Sequence, residues 1–195
     1  MRSFVTASVL FLLTACGRAE AAAAQMSPAD QVARAVLAAP ESLRSDATVL
    51  GYGGEPREGD PLTVLRQGTN GIICLADDPD DERFSVACYH ESMDPFMAMG
   101  RRMTAAGEDR AAVLEARRAA IEAGEMQPPA AALWVLSAES DVDPAVGPGA
   151  DANRRSVLYM PYAKAEELGL PTHPDGNGPW LMLPGQPWAH VMISQ

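Results

Sequence analysis

Soft ligands gather at two places in this chain. The stretch HESMDPFMAMGRRM holds His90, Met93, Met97, Met99 and Met103, and near the C-terminus His190-Val191-Met192 repeats the pairing of imidazole with thioether. These groups select Cu(I), and alternate residues of a strand point to one face, as a site requires. Copper binding is therefore one chemistry the residues offer. Against it, Met97 and Met99 diverge on a helix, while Met99 and Met103 have the spacing that packs flexible methionine into a core beneath Phe96. No metal ligand is assigned.

Hydrolysis has less to build on. There is no G-x-S-x-G, S-x-x-K or H-E-x-x-H pattern, and His90, His173 and His190 are too scattered to name a triad or a zinc site. The acidic run Asp77, Asp78, Asp80, Asp81, Glu82 lacks the spaced ligands of an EF-hand, as does Asp141-Val142-Asp143, so both read as solvated loops rather than calcium sites. No catalytic residue and no cofactor is assigned. An enzyme is unsupported, and an unrecognised hydrolase stays open beside the copper reading.

The three cysteines are more informative. Cys16 ends a mostly apolar run, Phe4 to Leu13, preceded by the lone charge of Arg2. That run is shorter than the roughly 20 residues needed to span a bilayer, so it reads as an export signal. Leu13-Thr14-Ala15-Cys16 resembles the lipobox of bacterial lipoproteins. The resemblance implies that residues 1–15 are a signal peptide cut before Cys16, that its thiol forms a thioether to diacylglycerol, and that the new amino group is acylated, with palmitate or a similar chain. Several acyl chains hold a protein stably at a membrane. Gly17 in place of Asp implies the outer membrane, with the protein facing the periplasm. The alternative is secretory cleavage within AEAAAAQ, residues 19–25, which discards Cys16 and leaves a soluble protein. With Cys16 lipidated, Cys74 and Cys88 form an even pair in an oxidising compartment and are expected to be a disulfide. A reactive Cys88 near His90 is the lesser alternative, because no activating motif accompanies it.

Charge narrows the partners. The chain has a net charge of −11, and loss of Arg2 with the signal makes the mature protein more acidic still. Nucleic acid is excluded for want of a basic footprint. The expected partners are the membrane, through the N-terminal lipid, and an envelope protein or a small ligand. Trp180 and Trp188, set among prolines in the tail, either anchor such a partner or cap the core.

The elements that must position these groups follow from periodicity. Residues 16–27 read as a flexible tether. Ser27-Pro28 then caps and opens a helix with Val32, Val36 and Leu37 on its apolar stripe. Strands are expected at 47–52, 62–67, 71–76 and 84–90. Asn70-Gly71 is the strongest hairpin signal and is expected to turn the second of these into the third. Ser92 is expected to open a helix that ends at Gly107, with another over 108–125. Further strands fall at 131–137, 156–162, 180–183 and 189–193, and a short helix at 163–168. Strands joined by hairpins and segregated from helices argue an α+β domain over 28–195, with a largely antiparallel sheet and helices packed on one face. The stretches LRQGTNGIIC, 65–74, and PWAHVMI, 187–193, resemble segments of a family of exported bacterial proteins for which no activity can be stated, so the resemblance implies no functional residue.

Overall fold

The computed structural model describes residues 26–194, so the expected signal peptide, Cys16 and most of the expected tether lie outside the described residues. The chain opens with α1, Pro28–Ala35, where the Ser27 side chain accepts from the Asp30 amide at 3.2 Å and Pro28 takes the first helical position. A 3₁₀ turn over Val36–Ala38 and a single helical turn, α2, Glu41–Arg44, lead into the sheet. Its strands are β1, Thr48–Gly51; β2, Thr63–Arg66; β3, Ile72–Leu75; β4, Phe84–His90; β5, Ala132–Ala138; β6, Asn153–Tyr159; β7, Trp180–Met182; and β8, His190–Ser194. The helices α3, Asp94–Ala105, and α4, Arg110–Glu122, separate β4 from β5, and α5, Ala165–Leu168, precedes β7. The eight strands form one sheet in the order β2-β1-β3-β4-β5-β6-β8-β7, with β1–β3 the one parallel pair. The fold is α+β with a largely antiparallel sheet.

Strand alternation divides the core in two. Val49, Cys74, Val86, Cys88 and Leu136 face α1 and its 3₁₀ turn. Leu50, Ile73, Tyr89, Leu133 and Val157 face the other way, toward Met93 and Met97 beside and within α3. The longer helices therefore share one face, as expected, while α1 covers the opposite one. A buried Gln31 locks α1 to β1: its Nε2 donates to the Met26 and Tyr52 carbonyls at 3.0 Å, and its Oε1 accepts from the Tyr52 amide at 2.9 Å. Satisfying each of these polar atoms is what makes its burial tolerable.

Two expectations need correction. Asn70-Gly71 does not close a hairpin, because β2 and β3 lie on opposite sides of β1. Gly71 does take a positive φ of 73°, as the dipeptide signals, but residues 67–71 cross the N-terminal end of β1 instead. There the Thr69 and Asn70 amides donate to the Asp46 carbonyl at 2.8 and 3.3 Å. A Cβ at Gly68 would lie 2.2 Å from that carbonyl oxygen, so only glycine permits the crossing. Burial decides the order. Val49 and Leu50 of β1 are enclosed on both faces, whereas β2 is half-buried throughout and ends in Arg66, whose guanidinium reaches the Ala47 and Arg44 carbonyls from the sheet edge. The second correction concerns Ser92, which does not cap the next helix. His90 does so: its Nδ1 accepts from the Ser92 amide at 3.2 Å at the start of a 3₁₀ turn, Glu91–Met93, that runs into α3.

Candidate functional site

The β3–β4 hairpin sets Cys74 directly opposite Cys88, and the two form a disulfide with their Cα atoms 4.0 Å apart. Both residues are fully buried, so the bond is shielded from reagents in the folded state. The same hairpin fixes one wall of a groove of about 840 Å³. Its floor is the end of the sheet face left uncovered by α3 and α4. Ser85, Ser137 and Asn153 lie in a row across β4, β5 and β6, with Val135 and Arg155 in the next row. The hairpin tip, Asp80 to Arg83, forms one wall, and Glu139 with Asp151 the other.

Local hydrogen bonds shape these walls. Asp77 Oδ1 accepts from the Ser85 amide at 2.7 Å, and Asp78 Oδ1 from the Asp80 amide at 3.1 Å. Across the groove, Asp151 Oδ2 accepts from the Ser140 amide at 3.0 Å and from its hydroxyl at 2.7 Å. Arg83 reaches Glu139 at 3.4 Å, an exposed pair of little energetic weight. Arg155 on the floor has no ion-pair partner among the described residues. Burial raises the Asp77 carboxyl above the usual range, and neighbouring Asp81 and Asp141 add to the effect. The Tyr52 hydroxyl behind this loop is pushed up to about 12, first by burial and then by the field of Asp78 and Asp80.

At the other end of the same face, an ion-pair network ties the 53–61 loop to α3. Arg101 forks onto Asp60, with Nε to Oδ1 at 3.1 Å and Nη2 to Oδ2 at 2.5 Å, and donates from Nη1 to the Tyr89 hydroxyl at 2.8 Å. That hydroxyl donates to Asp94 Oδ1 at 2.8 Å, and Arg57 pairs with both Asp94 and Asp60. Burial alone would raise Asp60 and Asp94, but their arginine partners override it and hold both carboxyls below the usual range. Burial pushes the Tyr89 phenol well above its ordinary value. Each charge here has an opposite partner, so the network reads as a clamp rather than a reactive centre.

A third cluster is not balanced in this way. Arg117 on α4 lies over the Phe96 ring, 3.8 Å from its centroid, and spends Nε and Nη2 on the Phe96 carbonyl at 3.0 and 2.7 Å. It has no carboxylate partner among the described residues, and burial pushes its pKa down to about 10. Tyr159 and Trp188 each pack 6.2 Å from Phe96, His190 stacks on Tyr159 at 4.9 Å, and Arg118 sits 5.1 Å from the Trp188 ring.

The chemistry-bearing residues singled out in the sequence are mostly dispersed. Met93 and Met192 are core residues beside Tyr89 and Trp180, while Met97 bridges this cluster to the one holding Phe96 and Met99. His90 caps its 3₁₀ turn, His173 meets Thr172 in an exposed loop, and His190 Nδ1 bonds the Trp188 carbonyl at 2.8 Å. None of the three meets a carboxylate. Trp180 and Trp188 are both buried, so they cap the core rather than stand out from it. Among the described residues, no three His, Cys, Asp or Glu side chains converge as ligands for an ion, and no helix is long and apolar enough to cross a membrane. Sequence reading missed the Asp60–Arg101–Asp94–Arg57 network and the unpaired Arg117. The one local hint was a pair of adjacent arginines on each helix, Arg101-Arg102 and Arg117-Arg118. Comparisons with family models, curated proteins and solved structures find no match to this chain.

Proposed function

We propose that this chain is an envelope lipoprotein, tethered through Cys16, whose domain binds a polar ligand in the groove over the open half of the sheet and performs no catalysis. The groove carries the binding reading. It is the place where a sheet face lies open to solvent, floored by hydroxyl, amide and guanidinium groups rather than by an apolar surface. Cysteine bookkeeping supports the tether. With Cys74 and Cys88 joined, Cys16 is the one thiol left, and it sits where an apolar leader ends. Gly17 favours the outer membrane, with the domain in the periplasm, and the strong negative charge argues against nucleic acid.

Two measurements test the halves of this proposal. Full-length protein should fractionate with membranes and move to the soluble fraction in Cys16→Ser; a wild-type amino terminus that is unmodified and begins near Gln25 would refute the tether. Native mass spectrometry of protein extracted from the envelope should reveal a non-covalent adduct, and Ser137→Trp, which fills the groove floor, should lose it. Wild-type protein free of any adduct, or an adduct indifferent to Ser137→Trp, counts against the groove.

A further inference from the structure

Arg117 is a half-buried cation without an acid among the described residues, in a chain that carries twenty-six acidic side chains and a net charge of −11. Its guanidinium is seated by design of the helix pair. A Cβ on Gly100 of α3 would lie 2.2 Å from Arg117 Nη2, so α3 has glycine where the guanidinium crosses it. Around the same Phe96 ring stand two more polar groups with no hydrogen-bond partner among the described residues, and the indole is the one sealed from solvent. The Trp188 indole Nε1 is enclosed and has no hydrogen-bond partner, in a residue only 4% exposed. The Tyr159 hydroxyl makes no hydrogen bond among the described residues. Arg117 Nη1 is likewise unspent.

These groups share one property. An indole N–H and a guanidinium can only donate, and a phenol donates readily to an anion. An enclosed donor without an acceptor costs about 1–3 kcal/mol, and a cation amid aromatic rings is poorly screened. What satisfies such a set is a partner that only accepts and carries negative charge. We infer that the Arg117–Tyr159–Trp188 cluster, where α4 lies near the end of β6 and the loop before β8, binds the oxyanion group, carboxylate or phosphate, of a small soluble ligand. Arg118 extends the positive field, with its Nη2 already fixed by Gln186 Oε1 at 2.7 Å. The site lies apart from the groove and does not rest on that reading.

The test is a titration of the full chain followed by ¹⁵N NMR, using sodium phosphate and sodium acetate as probes against sodium chloride at equal ionic strength. The indole signal that vanishes in Trp188→Phe identifies the reporter. It should shift saturably with phosphate or acetate, with a midpoint of about 1 mM or below, while the Trp134 and Trp180 indoles stay in place. Arg117→Gln should abolish the response, and Arg117→Lys, which keeps the charge but loses the planar fork, should weaken it about tenfold. A shift that is linear and equal in chloride overturns the inference. So does a saturable shift unchanged in Arg117→Gln or, should that variant fail to fold, unchanged in Arg117→Lys.

Discussion

Replacing Arg101 by Met offers the sharpest test of how the α3 face is held together. The methionine keeps much of the aliphatic stem but removes three kinds of partner at once: the fork onto Asp60, the donor to the Tyr89 hydroxyl and the contact with Asp94. The Asp60 side chain is only 2% exposed, so water cannot replace what is lost. Breaking a buried pair on one side costs about 3–5 kcal/mol, mostly from the carboxylate left behind. Arg57 still reaches Asp60 at 3.2 Å, which points to the lower half of that range. For a chain of this size, such a loss lowers Tm by roughly 6–16 °C.

The pH dependence sharpens the prediction. In the wild type, Asp60 titrates below its unfolded value of 3.8, so its contribution is complete above that pH and drains away as pH falls through the lower folded value. In Arg101→Met, burial is opposed only by Arg57 and the Leu62 amide, so the folded value moves up from its wild-type position. The stabilisation lost with Arg101 is then missing wherever Asp60 is ionised and fades as both proteins take up the proton in acid. Urea unfolding at neutral pH and at about pH 3 should therefore show the gap between the two proteins narrowing on acidification. A neutral-pH difference below about 1 kcal/mol, or a gap that widens in acid, refutes the reasoning.

Three further outcomes follow from particular contacts. Cys74→Ala/Cys88→Ala releases a loop of sequence separation 14, which should cost about 3 kcal/mol in urea unfolding by chain entropy; a loss under about 1 kcal/mol would show that the bridge constrains little in the unfolded chain. Gly68→Ala forces a Cβ to within 2.2 Å of the Asp46 carbonyl oxygen and 2.3 Å of the Thr48 nitrogen, and should destabilise by about 1–3 kcal/mol or more because backbone atoms cannot turn aside. If Gly68→Ala melts with the wild type, the crossing of β1 by residues 67–71 is wrong. His90→Ala removes the cap on the 3₁₀ turn leading into α3, with an expected cost of about 1 kcal/mol, whereas Ser92→Ala should cost distinctly less; thermal melts that rank the pair the other way restore Ser92 as the cap.

Local signals were legible wherever local physics decides. Ser27-Pro28 opens α1, Gly107 and Gly169 take the positive φ that ends a helix, and each expected strand forms within a few residues of its periodic pattern. The pairing of Cys74 with Cys88 was expected from the even count left once Cys16 is set aside, and the β3–β4 register places the two opposite one another.

What sequence alone determined, then, are the types and approximate bounds of the elements, the acidic balance, and the apolar run that precedes Cys16; these depend on neighbours within a few residues. The tertiary structure alone decided which strands adjoin. Asn70-Gly71 supplied the backbone geometry of a hairpin, but the enclosure of Val49 and Leu50 on both faces drew β1 between β2 and β3. It also decided which charges meet: Asp60 and Arg101, forty-one residues apart, share a buried fork, while Arg117 is left with a carbonyl and an aromatic ring. Pairing of that kind depends on distance through the folded protein and on the loss of water around it, and neither quantity is written along the chain.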